Sequence, residues 1–145
     1  MIVHDKQTNE TKKLINFFQK LGSIVEIVNT EYHDKILAIT SHLPHLIAYT
    51  IVGTASDLET DLKNDVIKFS ASGFRDFTRI ASSDPIMWRD VFLNNSDAVL
   101  EMLQRFNEDL SDLQKAIRKK DGDKLHSFFS RTRSIRKKII EAGQI

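Results

Sequence analysis

The chain has 145 residues, of which 41% are hydrophobic and 28% are charged, as in an ordinary globular domain with a hydrophobic core. Its formal net charge of +1 gives no broad basic field for nucleic acid, and no cysteine is present for a disulfide or a thiol nucleophile. The sequence also has no signal-peptide pattern and no apolar run of the roughly 20 residues that span a bilayer. We therefore expect a cytoplasmic protein with no nucleic-acid or membrane partner.

The N-terminal part of the chain predicts a strand, a helix and a second strand. Met1 to Val3 is short and apolar, and Thr8 or Asn9 can cap a helix that ends at Gly22. The segment from Ser23 to Val28 is rich in Ile and Val, as a buried strand of an α/β sheet is. Two strands and one helix are too few to form a stable sheet by themselves.

The next segment predicts a long helix with one apolar and one polar side. Thr30 can cap its start, and Asp34 lies in the first turn, where a carboxylate interacts favourably with the helix dipole. Pro44 removes a backbone donor, so a kink is expected between His42 and His45. Helical periodicity places Ile36, Ile39, Leu43, Leu46, Ile47 and Thr50 on the predicted buried side, and Asp34, Ala38, Ser41, His42, His45 and Tyr49 on the polar side.

Polar side chains gathered at a kink indicate a candidate binding site. Ser41, His42 and His45 are therefore candidate ligand-binding residues, although histidines in solvent or in an ordinary helix contact give the same pattern. A metal at the two histidines is disfavoured because zinc needs at least one further protein ligand, and neither cysteine nor an H-E-x-x-H pattern is present. We expect no metal.

Two further helix starts carry capping signals. Ser56 and Glu59 form a possible capping box for a helix from Asp57 to about Phe69. Asp84 can cap a helix that has Pro85 at its first position and ends at 94 to 96.

Between these two helices, the segment from 73 to 81 predicts an anion-binding site. Arg75 and Arg79 lie one helical turn apart. Asp76 lies three residues before Arg79, so the aspartate can orient that guanidinium while its free edge meets a carboxylate. An exposed pair of this kind would contribute under about 1 kcal/mol to folding. Apolar neighbours predict that one face of the segment is buried, and these neighbours are Phe74, Phe77, Ile80 and Trp88.

The last third of the chain predicts a helical hairpin around Asp121-Gly122-Asp123. Apolar residues at steps of three and four form an a/d seam on each helix, and the two helices are expected to pair antiparallel, mainly as intrachain core. The seams comprise Val99, Leu103, Phe106, Leu110, Leu113 and Ile117, then Leu125, Phe128, Thr132, Ile135 and Ile139. The basic run from 131 to 138 has no interleaved aromatics, so a solvent-exposed helix face is favoured over a nucleic-acid or membrane site.

Four ordered motifs resemble the helical C-terminal domain of the prephenate and arogenate dehydrogenases, the NAD(P)-dependent enzymes of tyrosine biosynthesis. The motifs are H-D at 33 to 34, S-H-L-P-H at 41 to 45, G-F-R-D-F-T-R-I-A at 73 to 81 and S-D-P-I-M-W at 83 to 88. The resemblance implies a mainly α fold, in which residues 31–145 form a helical substrate-binding and dimerisation domain. Residues 1–30 would be a short β-α-β remnant of a Rossmann-like nucleotide-binding domain.

The resemblance also implies roles for individual residues. Arg79 would bind a carboxylate of prephenate with Asp76 orienting it, and His45 would lie beside the substrate, near Ser41 and His42. Asp34, Asp76 and Trp88 match positions of a supporting ionic and packing network. Where many family members have a run of glycines before F-R-D-F, this chain has A-S-G, so the backbone approach to a ligand is expected to differ.

The implied reaction is oxidative decarboxylation of prephenate to 4-hydroxyphenylpyruvate, or of arogenate to tyrosine, with hydride passing to NAD or NADP. The resemblance also implies a homodimer in which helices of two subunits pack together, so part of the apolar seam of the last two helices would face a partner chain. Tyrosine is a possible inhibitor. No G-x-G-x-x-G is present, and the family's catalytic histidine lies in the nucleotide-binding domain, so this chain is expected to bind no cofactor and to be inactive alone. The alternative is a non-catalytic dimeric helical module with an aromatic-acid sensing pocket. A generic helical interaction domain would not explain why Arg79, His45 and Ser41 occur together.

Overall fold

The computed structural model of the chain describes residues 1 to 3, 8 to 58 and 60 to 143. Within these residues the fold is almost entirely helical, which confirms the predicted fold class. The elements are β1 Ile2–Val3, α1 Asn9–Lys20, β2 Ile27–Val28, α2 Thr30–Leu37, a π-helical segment Ala38–His42, α3 Leu43–Ser56, α4 Thr60–Lys68, α5 Ser72–Ala81, α6 Pro85–Asn94, α7 Ser96–Arg118 and α8 Gly122–Glu141.

The predicted strand, helix and strand are present at the N-terminus. β1 and β2 pair in parallel, with Ile2 opposite Ile27. The Thr8 hydroxyl accepts a hydrogen bond from the Thr11 backbone N–H at 3.2 Å and so caps α1, and Gly22 follows the helix with φ of 83°. Glycine suits this conformation because it has no Cβ to clash in the left-handed region. The second strand is shorter than predicted.

The long helix begins at Thr30, the residue predicted as its cap, and contains a wider turn. Asn29 caps α2, because its Oδ1 accepts from the Tyr32 backbone N–H at 2.7 Å, so the assignment of Thr30 as the cap is wrong. The helix is continuous to Ser56, with the π-helical segment before Pro44. A wider turn accommodates a residue that lacks a backbone donor, so the predicted discontinuity takes the form of a π-helical segment.

This segment changes which residues of the helix are buried. Ala38 is fully buried and His42 is only 7% exposed, whereas Ile39 is 46% exposed and Thr50 is exposed. The prediction that Ala38 and His42 lie opposite the buried side is therefore wrong. A π-helical turn holds more residues than an α-helical turn, so a count at 100° per residue loses its phase there.

The continuous helix is also more apolar than expected. Thr30–Ser56 spans 27 residues, and its most apolar 18-residue window has a mean hydropathy of 1.4, enough by length and composition to cross a membrane. The expectation that no run reaches bilayer length is therefore wrong. Core helices of soluble proteins meet the same criterion, so the absence of a membrane partner stays a prediction.

Helices α5 and α6 are fixed near α3. α5 packs along α3, and the hydroxyl of Tyr49 on α3 donates to the backbone carbonyl of Ser83, between α5 and α6, at 2.7 Å. Asp84 caps α6 by accepting from the Met87 backbone N–H at 2.8 Å, with Pro85 at the first position, as predicted. These contacts position the first turn of α6 beside α3.

The chain forms two compact units, Met1–Met102 and Leu103–Ile145. The predicted boundary after residue 30 concerns membership of a larger nucleotide-binding domain and stays a prediction. In the first unit, α4 starts at Thr60 rather than at Asp57. The predicted capping by Glu59 lies outside the described residues.

In the second unit, the predicted seam is half-buried at some positions, including Leu103 and Phe106, and exposed at others. Asp121 caps α8, Ala116 is 2% exposed, and Leu125 and Phe128 are half-buried. Leu110, Ile117, Thr132, Ile135 and Ile139 are exposed, so they lie outside the core of the single chain, and the expectation that part of the seam faces a partner chain stays a prediction. The described residues of this unit supply no further layer of side chains over these positions. The basic run is exposed, as predicted.

Candidate functional site

An aromatic cluster forms where the first turn of α6 meets α3. Trp88 is 7% exposed, and the His45 ring stacks on the indole with ring centroids 3.7 Å apart and an interplanar angle of 21°. His42 meets the same indole at 6.1 Å and 78°, an edge-to-face arrangement, and Phe92 lies 5.6 Å away. The structure thus brings together the S-H-L-P-H and S-D-P-I-M-W segments, which are about 40 residues apart in the sequence.

His45 is oriented by the backbone of its own helix. Its Nδ1 lies 2.8 Å from the backbone carbonyl oxygen of Ser41. A carbonyl oxygen only accepts, so Nδ1 carries the hydrogen, and in the neutral ring Nε2 is left as an acceptor. Ser41 therefore acts on the cluster through its main chain, and direct binding of a ligand by its hydroxyl stays a prediction.

His42 is buried beside the indole and is held from the far end of α6. Its Nδ1 lies 3.1 Å from the side-chain nitrogen of Asn95, which also donates to the Asp34 backbone carbonyl at 2.9 Å. Burial lowers the pKa of His42 below its ordinary value, and the charges of His33 and His45 lower it further, while Asp34 opposes the shift. The ring is therefore uncharged near neutral pH.

The indole N–H of Trp88 has no hydrogen-bond acceptor among the described residues, although it is buried. An unpaired buried donor costs about 1–3 kcal/mol, and native structures pair nearly all such groups. The aromatic cluster therefore contains a donor that an oxygen atom of a ligand would satisfy.

Arg79 and Asp76 lie on the exposed side of α5. The distance between the Arg79 Nε and the Asp76 Oδ1 is 3.8 Å, and the two side chains are 72% and 73% exposed. The opposite face of the helix is half-buried through Phe74, Phe77 and Ile80, as predicted. An exposed pair at this distance contributes well under about 1 kcal/mol to folding. The guanidinium is thus accessible to an anion from solution.

The predicted site residues are brought together only in part. No hydrogen bond or ion pair of the described side chains joins Arg79 to His42 or His45. Asp34 and Ser41 were both predicted on the polar side of the helix, but the Asp34 carboxylate forms its hydrogen bond with His33 Nδ1, at 2.9 Å. In the described part of the chain, no group of three His, Asp or Glu side chains could hold a metal ion.

Asn95 is the site residue that sequence patterns did not indicate. It follows α6 and looks like an ordinary helix-ending asparagine. Its two partners are 61 and 53 residues earlier in the chain. Periodicity and capping rules describe neighbours in sequence, so they carry no signal for a contact of this length.

Comparison with known families identifies residues 29–131 as similar to the family described as prephenate dehydrogenase, dimerization domain. Among characterised proteins, the chain is 38% identical over 123 residues to the cyclohexadienyl dehydrogenase of Zymomonas mobilis, covering 85% of this chain and 42% of that protein. It is 33% identical over 132 residues to the prephenate dehydrogenase of Bacillus subtilis, covering 91% of this chain and 35% of that protein.

Solved structures agree with the sequence comparison. The fold is similar to prephenate dehydrogenase of Aquifex aeolicus in complex with hydroxyphenyl propionate and NAD+, with a TM-score of 0.83 and 33% identity. That match covers 94% of this chain and 48% of the other chain. This chain therefore spans less than half of the length of each of these relatives.

Proposed function

This chain belongs to the prephenate dehydrogenase family, and we propose that it is the substrate-binding and dimerising part of an NAD(P)-dependent dehydrogenase of prephenate or arogenate. The match of residues 29–131 to the dimerization domain carries the proposal. The reaction would be oxidative decarboxylation to 4-hydroxyphenylpyruvate or tyrosine, in cytoplasmic tyrosine biosynthesis.

The residues of this chain do not fit a dinucleotide. Such a site uses a glycine-rich turn between a strand and a helix, so that the backbone and the helix N-terminus can approach the pyrophosphate. The first glycine of this sequence is Gly22, which follows α1 rather than preceding it. We therefore assign NAD or NADP, and the hydride transfer, to residues other than 1–145.

The chain's own contribution would be to bind and orient the substrate. An accessible arginine suits a carboxylate because its planar guanidinium donates two parallel hydrogen bonds, and Arg79 is largely exposed. The half-buried His45 ring, held against the buried Trp88 indole, offers an aromatic side chain. These features support a ligand that combines a ring with carboxylates, as prephenate does.

Dimerisation is supported by apolar side chains that the chain leaves uncovered. In the second unit, a groove is lined by Leu110, Leu113, Ile117, Leu125 and Phe129 among others. Ile117 is 64% exposed and Leu110 is 51% exposed. Apolar residues grouped in this way usually mark an interaction surface. A second copy of the chain is the proposed partner, in keeping with the family's dimerization domain.

Calorimetric titration of the purified chain with prephenate, and separately with tyrosine, tests the substrate assignment. The Arg79→Ala variant should weaken prephenate binding by about 2 kcal/mol or more, roughly 30-fold in Kd, because it removes a charge-assisted pair of hydrogen bonds. Its matched control is Lys63→Ala, which removes an exposed cation on α4, outside the predicted anion-binding segment, and should leave Kd unchanged. Equal affinities for the two variants would refute the role of Arg79. Binding of tyrosine without prephenate would favour a sensing module.

Light scattering tests the proposed dimer. Ile117→Glu places a charge in the apolar groove and should halve the measured mass, because a charge without a partner is costly to bury in an interface. Ile67→Glu makes the same change at a side chain of similar exposure on α4 and should leave the mass at that of a dimer. A mass that is the same for both variants would exclude the groove as the interface.

A further inference from the structure

Asn95 connects three parts of the chain that are distant in sequence. It follows the last residue of α6 and is half-buried. Its side-chain Nδ2 donates to the Asp34 backbone carbonyl at 2.9 Å and lies 3.1 Å from His42 Nδ1. One amide group therefore bridges the end of α6, a carbonyl of α2 and a ring in the π-helical segment.

The chemistry of the partners determines the direction of both hydrogen bonds. The Asp34 carbonyl can only accept, so the amide nitrogen of Asn95, and not its oxygen, must face it. The same NH2 group has a second hydrogen, which is directed to His42 Nδ1. That nitrogen must then present its lone pair, so the hydrogen of the neutral His42 ring lies on Nε2.

We propose that Asn95 is a positioning residue that fixes His42 as the neutral Nε2–H tautomer beside Trp88. Protonating the ring would place an N–H of His42 against the N–H of Asn95, and one of the two bonds of the amide would be lost. The position of His42 matters because its ring meets the indole on which His45 stacks. The role of this arrangement in ligand binding rests on the proposed function, whereas the tautomer itself does not.

Burial is the main cause that keeps the His42 ring neutral, while the surrounding charged groups act on its pKa in opposite directions. Burial lowers its pKa most, the charges of His33 and His45 add to this, and Asp34 alone raises it. A carboxylate in place of the amide would reverse the geometry, since it accepts from Nδ1–H and has no hydrogen for the Asp34 carbonyl.

Nitrogen NMR of the imidazole rings in the full 145-residue chain tests the inference, with His42 assigned by His42→Gln. In the wild-type protein at pH 8, Nδ1 should be unprotonated and Nε2 protonated. Asn95→Asp should move the hydrogen to Nδ1 and raise the pKa of His42 by about one pH unit or more. Asn95→Ala should give a mixture of tautomers. Asn94→Asp is the matched control, since Asn94 is exposed and donates to the Asp90 carbonyl, and it should behave as wild type.

A wild-type His42 protonated on Nδ1 would overturn the inference without need of any variant. Identical His42 tautomers and pKa values in Asn95→Asp and Asn94→Asp would also overturn it. Prephenate titrations of the same proteins from pH 5 to 8 test the link to the site. The pH at which the Kd for prephenate has changed by half should move in Asn95→Asp only. An unchanged pH dependence of the Kd for prephenate, in a variant whose His42 tautomer has changed, would refute the positioning role. A wild-type chain that binds no prephenate would refute the proposed function and leave the NMR result to decide the role of Asn95.

Discussion

Replacing Trp88 by alanine should be one of the most destabilising single changes in the first unit. The indole is 7% exposed and has ring contacts with His42, His45 and Phe92. Truncating a buried tryptophan to alanine costs about 3–5 kcal/mol through lost contacts and the cavity that remains. The same change removes an unpaired buried N–H, and this removal by itself stabilises the folded state by about 1 kcal/mol or more. The expected net loss is about 2–4 kcal/mol.

Trp88→Phe separates these two contributions. It keeps an aromatic ring against His45 but removes the indole N–H, so its cost should be below about 1.5 kcal/mol. Phe69→Ala is the control, since Phe69 is 70% exposed and its loss should change stability by no more than about 0.5 kcal/mol.

Urea unfolding followed by far-UV circular dichroism measures these changes, because the only tryptophan of the chain is altered. With a slope of about 2 kcal/mol per molar, Trp88→Ala should lower the midpoint by about 1–2 M. All variants are compared at one protomer concentration, since association would make the midpoint depend on it. A Trp88→Ala midpoint equal to that of Phe69→Ala would refute the view that the aromatic cluster is a centre of the core.

Two further predictions concern contacts around the same cluster. Tyr49→Phe removes the hydroxyl that donates to the Ser83 carbonyl and should cost about 1 kcal/mol in urea unfolding, with an unchanged midpoint contradicting a role for this bond. The folded-state pKa of His42 lies below its ordinary value of 6.5, so the unfolded chain binds more protons between these two values. Its contribution to stability is therefore complete above about pH 6.5 and is lost as the pH falls toward the folded-state pKa. A pH series of midpoints should show this loss in the wild type and a smaller slope in His42→Gln.

Local signals in the sequence predicted most helix and strand positions correctly. Thr8 and Asp84 cap helices because a short polar side chain can reach a backbone N–H two or three residues ahead. Gly22 follows α1 because it tolerates a positive φ. Each of these effects involves residues within one turn, so no tertiary information is needed to predict it.

Local sequence signals could not predict which side chains are buried or which polar groups make contacts over long sequence distances. The π-helical segment shifts the phase of the helix after Ala38, and periodicity alone does not reveal that His42 is buried. Asn95 reaches its partners across more than 50 residues. The structure brings the rings of His45 and Trp88 into contact. Their roles in a substrate site, and the binding of a substrate carboxylate by Arg79, stay predictions.

The parallel strand pair at the N-terminus should unfold locally more readily than the helices. Within the described residues, β1 and β2 pair through two residues on each strand, and Ile27 is 39% exposed. Hydrogen bonds that are few and close to solvent break and re-form without the rest of the fold, because stability within a protein is not uniform. Backbone amides of this pair should therefore exchange with solvent through small local fluctuations, while those of α3 should exchange only when much larger parts of the chain unfold.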